Sequence, residues 1–536
     1  MLDIIPLLVF GTIWLLSAFF EYCRYMYMWQ LKEYRLDMFL DFVSTKQGVD
    51  FIFFRPTLFL RFFLGCVFLL SILFSFGGNA LFYGILCLLF LDVLYGFFQI
   101  YKSQFRRPVI THKALVLLLG CFFADMLCMW FFVQGGVYFF LILLLRFFLA
   151  SLFVFFSYIP TKLLKSCVIF FAKRKMKKYA KLLVVGVTGS YGKTSVKEFL
   201  GHVLGVSKKV VITPKNINTD IGIARFVLAT DFSNYDVFVC EMGAYKIGEI
   251  AIVCDMVKPV IGVLTAINEQ HASLFGGITQ TQKAKYELLR AIPETGLVIT
   301  NADNPYCVGL LDTLPCKTIQ TFGTNDAPTV SCRILEVKSS LTGTSCVLGL
   351  SEGCKVSMRM PIIGGHHAFN MAPVVLVARY IGISVPEIET QARTLPTMVH
   401  GSLSVFSYGR AVIINDSYNS NPNGFRSALD VLAQFPANKR RIVITRGMLE
   451  LGSRSEEIHE EIGGEIAFVA DGLVVITKDF FAPLKRGVVE KYYTQISLKT
   501  DPQDLLLYLR TLKEKEVVIL LENRMPSCVM KELGVI

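Results

Sequence analysis

The sequence predicts a membrane-spanning α-helical domain followed by two α/β domains, and three observations carry that prediction. The chain is 53% hydrophobic with 45 Phe, and the apolar excess lies before residue 160. From residue 182 onward, short apolar runs alternate with amphipathic stretches, as in parallel strands joined by crossover helices. At the junction stands VVGVTGSYGKTSVKEFL, Val184 to Leu200, which reads as a buried strand, a glycine-rich loop and the start of a helix.

The first domain, 1–160, is polytopic, with five spans at about 4–21, 58–76, 80–100, 114–133 and 137–158. Each is near the ~20 residues a helix needs to cross the hydrocarbon core. The first reads as an uncleaved span, because neither a basic n-region nor a small-residue cleavage site flanks it. Basic residues fill the loops 22–57 and 101–113 and are missing from the turns at 77–79 and 134–136. More follow the last span: Lys162, Lys165, Lys173, Arg174, Lys175, Lys177 and Lys178, in a basic linker at 161–180. The positive-inside rule then predicts a multi-pass cell-membrane protein with its N-terminus outside, its long C-terminal part in the cytoplasm and membrane lipid as a partner. Residues 22–57 mix charge with aromatics and would suit an amphipathic helix in the interface. Asp92, Asp125 and Arg146 sit near mid-span, where charges are costly. They form either a structural knot between helices or a polar groove for a headgroup or ion. The knot is favoured, since nothing nearby suggests a transport path.

Net charge is +12, but the soluble part has no basic–aromatic patch, so nucleic acid is not an expected partner. The 14 cysteines form no CxxC pair and read as small buried residues in a reducing compartment.

The glycine-rich stretch is a phosphate-binding loop. Gly189, Ser190, Tyr191 and Gly192 would turn backbone N–H groups toward an anion at a helix N-terminus. Lys193 would reach the terminal phosphates of ATP, and the hydroxyl of Thr194, followed by Ser195, would hold Mg²⁺. The strict GxxxxGK[ST] pattern has Val187 at its first position; the form here is TGxxGKTS.

Next comes TPKNINTDIG, Thr213 to Gly222, a polar turn-rich segment containing Asn216 and Asn218. Glu241 ends a strand at Asp236–Cys240, and His271 lies just past another at Val260–Ile267. Ligands of open α/β sheets gather at the carboxyl ends of strands, so Lys193, Glu241 and His271 converge on one crevice. A lone His after a strand is more often a polar cap, but the shared edge favours a Mg²⁺ ligand. By composition, the helix Gln282–Ala291, with Lys283, Lys285 and Glu287, is a solvated face. A third strand ends in Asn301 and Asp303, hairpins are expected over 317–362, and GGHHAFNMA opens a helix with His366 and Asn370 in its first turns. From about residue 396 a second parallel sheet is expected, with a strand at Ala411–Ile414, a polar loop, a helix at Gly424–Gln434, and further strands in RIVIT, GLVVIT and EVVILL.

On these motifs the chain from about Leu182 to its C-terminus resembles the Mur ligase family, most closely its MurF type. The resemblance implies a central P-loop ATPase domain at 181–395 and a C-terminal Rossmann-like α/β domain at 396–536. TGSYGKTS is similar to the family's ATP loop. Glu241 and His271, with Lys285 fourteen residues on, match its metal and carbamylated-lysine pattern, which makes Lys285, as a carbamate, a ligand of a second Mg²⁺ and gives catalytic roles to Lys193, His271 and Lys285. Asn301, His366, Asn370 and Asp416 are implied on the ATP side. Asn216, Asn218, Tyr418, Asn419 and Asn421 are implied on the substrate side. The implied chemistry is amide ligation in peptidoglycan precursor synthesis: ATP converts a muramoyl-tripeptide carboxylate to an acyl phosphate, and D-Ala-D-Ala attacks it.

The chain departs from the family at Gly365–His367, Asn415, Thr445–Met448, Gly401–Ser402 and Leu521–Asn523, which bears on the amine substrate. Family members also carry a domain that grips the UDP group. Only about twenty residues, basic in character, separate the last expected span from Lys181 here, so the membrane domain is expected to replace it and the acceptor to be membrane-attached, such as a lipid-linked muramoyl peptide. Alternatives are a ligase of another cell-envelope amino-acid polymer and an ATPase-driven transporter, the latter disfavoured by five spans without an internal repeat.

Overall fold

The computed structural model describes residues 4–32, 34–44, 78–102, 105–133, 139–215, 217–244, 246–268, 277–327, 329–396, 403–417, 422–436, 438–448, 451, 454–489 and 495–535. The chain forms two compact units, Met1–Lys165 and Ser166–Ile536.

The first unit is helical, with helices at Ile4–Leu31, Leu36–Val43, Gly78–Tyr101, His112–Val133 and Phe139–Phe156. The expected span at 58–76 lies outside the described residues. Among the described residues, one helical stretch is long and apolar enough to cross a membrane, Arg146–Met176, and Leu86–Tyr101 is apolar but shorter. The first helix runs ten residues past its expected end at 21. Tyr22, Tyr25, Met26 and Trp29 are buried against Leu117, Cys121 and Ala150, so this part of the 22–57 segment belongs to the core of the unit and not to an interfacial helix.

Asp92, Asp125 and Arg146 meet in that unit. Arg146 is buried and pairs with Asp125 at 2.8 Å and with Glu21 at 3.2 Å. It also donates to Ser17 Oγ at 3.0 Å, and Ser17 donates to Asp92 at 3.4 Å. Tyr22 donates to Asp125 at 3.0 Å. Four helices thus contribute to one polar knot, and Glu21 is a member that the sequence reading did not include.

The second unit holds two sheets. The first contains β1 (Leu183–Thr188), β2 (Val210–Ile212), β3 (Val237–Glu241), β4 (Ile261–Leu264), β5 (Leu297–Asn301), β6 (Thr318–Gly323), β7 (Cys332–Ser340), β8 (Gly343–Leu350) and β9 (Lys355–Met360), in the order β2-β3-β1-β4-β5-β6-β7-β8-β9. The strands are parallel through β7, and the last two pairings are antiparallel. The hairpins expected from 317 therefore begin at β7, because β6 pairs in parallel with both of its neighbours. β1 and β3 are almost wholly buried, as in a sheet covered on both faces, whereas β9 alternates exposed and buried residues. Helices Lys193–Leu204 and His366–Ile381 pack on one face through Val196, Phe199, Ala368 and Met371. Helices Asp220–Ala229, Glu249–Val257 and Ile278–Arg290 pack on the other.

The stretch read as a basic linker is helical from Tyr158 to Met176. Ala172 and Met176 are buried in the same cluster as Phe232 and Val253, so the helix end is part of the second unit's core.

The second sheet contains β10 (Ser404–Tyr408), β11 (Ala411–Asp416), β12 (Arg440–Thr445), β13 (Gly472–Val475), β14 (Gln495–Leu498) and β15 (Val517–Glu522), ordered β10-β11-β15-β12-β13-β14. All pairings are parallel except β10–β11. β11 runs to Asp416, two residues beyond the expected end, which places Asp416 at a strand tip opposite Glu522.

Candidate active site

β1 lies between β3 and β4, where the strand order reverses direction, and the crevice at such a point is the usual ligand site of an open α/β sheet. The register aligns the tips: Val187 opposes Glu241, and Thr188 opposes Leu264. The chain leaves β1 through Gly189–Gly192 and enters the helix at Lys193.

The loop is tightly held. Ser190 N donates to the Ala266 carbonyl at 2.7 Å, and Asn268 N donates to Ser190 Oγ at 3.1 Å. Thr265 Oγ1 donates to the carbonyls of Tyr191 and, at 3.3 Å, of Thr188. Gly192 has φ +82°, and a Cβ there would sit 2.5 Å from Asn370 Oδ1. The positive φ favours glycine, and a side chain there would displace the Asn370 amide. Thr194 and Ser195 occupy the first helical turn, half-buried.

Two lysines share one acceptor. Lys193 Nζ donates to the Gly189 carbonyl at 2.6 Å, and Lys285 Nζ donates to the same oxygen at 3.1 Å. Lys285 is buried, with Thr281, Ala284 and Leu288 on the same helix face. This corrects the solvated-face reading: the helix is amphipathic, and the ammonium-bearing chain falls on its inner side. Glu287, half a turn on, accepts from Gly248 N at 2.5 Å and Ala251 N at 2.9 Å, capping the neighbouring helix. Burial pushes the Lys193 amine below its ordinary range, with Glu241 opposing. Burial and then the charge of Lys193 push Lys285 well below.

Glu241 is buried at the tip of β3. Its Oε1 accepts from Asn218 Nδ2 at 3.0 Å, and its backbone N donates to Thr213 Oγ1 at 3.0 Å. Its Oε2 lies 3.4 Å from Lys197 Nζ and has no hydrogen-bond partner among the described residues. A buried carboxylate oxygen with no hydrogen-bond donor among the described residues, at a strand tip paired with the strand that leads into the phosphate-type loop, fits a hard divalent cation such as Mg²⁺. Asn216 and His271 lie outside the described residues.

Asn301 ends β5, and its Oδ1 accepts from Asp303 N at 2.9 Å. Asn304 Nδ2 donates to the Ile267 carbonyl at 2.7 Å, tying the exits of β4 and β5 together. His366 and His367 open their helix with ring centroids 4.1 Å apart. His366 Nδ1 and both ring nitrogens of His367 are buried with no hydrogen-bond partner among the described residues. Burial pulls the His366 imidazole down to about 4 and His367 well below its ordinary value.

The carboxyl edge of the second sheet carries Asp416, whose carboxyl burial pushes up to about 7 against a hydrogen bond with Glu522. Asn523 N donates to the Asp416 carbonyl at 3.1 Å. Tyr418, Asn419 and Asn421 lie outside the described residues. Ile363, three residues before His366, packs against the core of this second domain. The structure therefore brings Gly189, Gly192, Lys193, Glu241, Asn218, Lys285 and Asn370 together. Asp416 is placed on the other sheet. Lys197 and Thr265 were missed by sequence reasoning. Lys197 carried one signal, its position one helical turn after Lys193.

Comparison with known proteins agrees with this layout. Residues 187–378 match the Mur ligase middle domain, and residues 404–521 match the Mur ligase glutamate ligase domain. The chain is 29% identical over 298 residues to a UDP-N-acetylmuramoyl-tripeptide–D-alanyl-D-alanine ligase of Synechocystis sp., covering 55% of this chain and 62% of that relative. It is 28% identical over 353 residues to the enzyme of that name in Escherichia coli, covering 65% of this chain and 75% of the relative. Among solved structures, MurF ligase from Thermotoga maritima in complex with ADP superposes with a TM-score of 0.58 at 25% identity, covering 69% of this chain and 83% of that one. MurF from Acinetobacter baumannii gives 0.60 at 24% identity, covering 69% and 79%, and supports the fold.

Proposed function

Since the chain belongs to the Mur ligase family, we propose that it is an ATP-dependent amide ligase that joins D-Ala-D-Ala to a muramoyl-tripeptide in peptidoglycan precursor synthesis. The observation that carries this reading is the meeting of Lys193, Lys285 and Glu241 at the mouth of the phosphate loop, in a fold shared with MurF enzymes.

The loop amides would bind the ATP phosphates, and Lys193 would release the Gly189 carbonyl to offset charge on the transferring γ-phosphoryl group. Thr194, Glu241 and His271, with Lys285 as a carbamate, would hold Mg²⁺, which supplies Lewis-acid neutralisation of the phosphates. A carbamate forms only on an unprotonated amine, and the buried setting of Lys285 beside Lys193 favours that form. The acceptor carboxylate takes the γ-phosphoryl group to give an acyl phosphate and ADP. The amine of D-Ala-D-Ala then attacks the acyl carbon, phosphate leaves and a proton is lost. Asn370 against Gly192, with Asn301 and His366, would line the nucleotide side, and the second sheet with Asp416 would close over it as a lid.

The acceptor is membrane-attached in this reading, and the protein is a multi-pass membrane protein in contact with lipid. Support comes from the apolar stretch Arg146–Met176, which exposes Phe155, Phe156, Leu163 and Leu164, and whose far end enters the catalytic core at Ala172.

The test is phosphate release by detergent-solubilised protein with ATP, Mg²⁺, D-Ala-D-Ala and either UDP-muramoyl-tripeptide or its lipid-linked form. Release is expected to require both substrates, to prefer the lipid-linked form, and to vanish in Lys193→Ala. Release with ATP alone, indifferent to both substrates, would overturn the ligase assignment. Equal use of the soluble acceptor would overturn its membrane attachment.

A further inference from the structure

We propose that Lys197 is a positioning residue of the metal site, fixing both the Glu241 carboxylate and the acceptor-side loop that begins at Thr213 to the phosphate-loop helix. The proposal rests on the ligase reading for the identity of the acceptor, but its geometry stands independently.

Lys197 lies one turn after Lys193 on the same helix and is fully buried. A buried ammonium needs partners on every side, because its desolvation is otherwise uncompensated. Lys197 Nζ donates to the Lys215 carbonyl at 2.8 Å, lies 3.2 Å from Glu198 Oε1 and lies 3.4 Å from Glu241 Oε2. The last separation is an ion pair and not a hydrogen bond, and Glu241 Oε2 accepts no other hydrogen bond among the described residues. The ammonium thus balances the charge of Glu241 while leaving that oxygen's lone pairs for a cation.

The other attachments run through the same loop. Thr213 Oγ1 accepts from Glu241 N, Asn218 Nδ2 donates to Glu241 Oε1, and Gly243 N donates to the Asn218 carbonyl at 2.8 Å. Lys215 has φ +44°, a conformation that residues with a Cβ rarely adopt. Its carbonyl is the one Lys197 holds. One ammonium therefore anchors the loop at its turn and the carboxylate at its charge, and motion of either is felt by the helix that carries Lys193.

A buried ion pair that only stabilises the fold would predict lower melting and nothing more. The positioning role predicts a change in metal binding at temperatures where the variant is folded. The probe is Mn²⁺ with ADP, followed by electron paramagnetic resonance of the full chain in detergent, with melting recorded in parallel. Lys197→Met is expected to weaken Mn²⁺ binding by roughly tenfold or more, the scale for losing an outer partner of a metal ligand. Glu198→Gln, which removes the other carboxylate from Lys197, is expected to stay within about twofold of the unmodified protein. Should Lys197→Met not fold, Lys197→Gln, which keeps a donor for the Lys215 carbonyl and loses the charge, carries the same expectation. Mn²⁺ binding by these Lys197 variants at the original affinity or tighter would overturn the proposal. A protein that binds Mn²⁺ with ADP through Lys197 yet ligates neither muramoyl acceptor would overturn the ligase reading alone.

Discussion

At the scale of single residues, two features of the residues proposed for the nucleotide side lead to measurable outcomes. The first is steric. Gly192 combines φ +82° with a Cβ position 2.5 Å from Asn370 Oδ1. Gly192→Ala should cost about 1 kcal/mol in backbone strain and also displace Asn370. Its expected effect is a drop in ADP affinity of roughly tenfold, read by titration of a fluorescent nucleotide, with a small change in melting. The second is electrostatic. The folded state holds His366 at about 4 and His367 well below its ordinary value, while the unfolded chain protonates both near 6.5. With folded-state values below unfolded ones, the unfolded chain binds more protons as pH falls, so stability is lost on acidification. For His366 the window runs from about 6.5 down to about 4. Melting of the catalytic unit should fall across that window, and His366→Asn should flatten the decline; an unchanged slope in the variant would place the acid sensitivity elsewhere. Asn370 was implied by the family resemblance alone; the loop and Glu241 were legible in the residues themselves, because glycine spacing and strand ends point directly at geometry. Lys285 was not. A lysine in a polar-looking helix reads as solvated, and only the burial of Thr281, Ala284 and Leu288 on the same face turns it inward.

At the scale of elements, the helix Tyr158–Met176 shows how composition can conceal packing. Its basic C-terminal turn suggested a linker. Yet Lys173 pairs with Asp255 at 2.5 Å and Lys175 donates to the carbonyls of Leu228 and Thr230 at 2.9 and 2.7 Å, so the lysines latch the helix to the catalytic unit while Ala172 and Met176 enter its core. Lysine stems can cover apolar surface while their heads reach acceptors at the rim, which period-based reading does not capture. Phe170 and Phe171 are instead 59% and 56% exposed, on the other side of the same helix. Ala172→Asp would bury an unpaired carboxylate and should cost about 3 kcal/mol or more, lowering the melting temperature of the catalytic unit by several degrees. Phe171→Ser removes a side chain with little core contact and should leave that temperature nearly unchanged in detergent. Equal losses in both variants would contradict the two-sided packing of this helix. The strands were more legible than this helix, since β1, β3, β5, β12 and β15 are near-continuous apolar runs. The exception was β6, whose exposed start resembles the hairpin strands after it.

At the scale of the whole molecule, the division into Met1–Lys165 and Ser166–Ile536 predicts separable cooperative units, each with its own buried interactions. In the first, Arg146 is balanced by Asp125 and Glu21. Removing one partner of a buried ion pair costs about 3–5 kcal/mol, because it leaves carboxylates uncompensated. In the second, a ligand of the phosphate loop stabilises only the unit that binds it, by about 2.7 kcal/mol at one hundred times its dissociation constant. Calorimetry in detergent should therefore resolve two transitions. Mg²⁺ with ADP should raise one of them and leave the other in place. Arg146→Met should lower the transition that the nucleotide does not move, and Arg146→Met combined with Asp125→Asn should recover part of the loss, since the double change removes a charge of each sign. A single transition that shifts as one with both nucleotide and Arg146→Met would mean that the units unfold together, and the polar knot would then support the catalytic unit as well as its own.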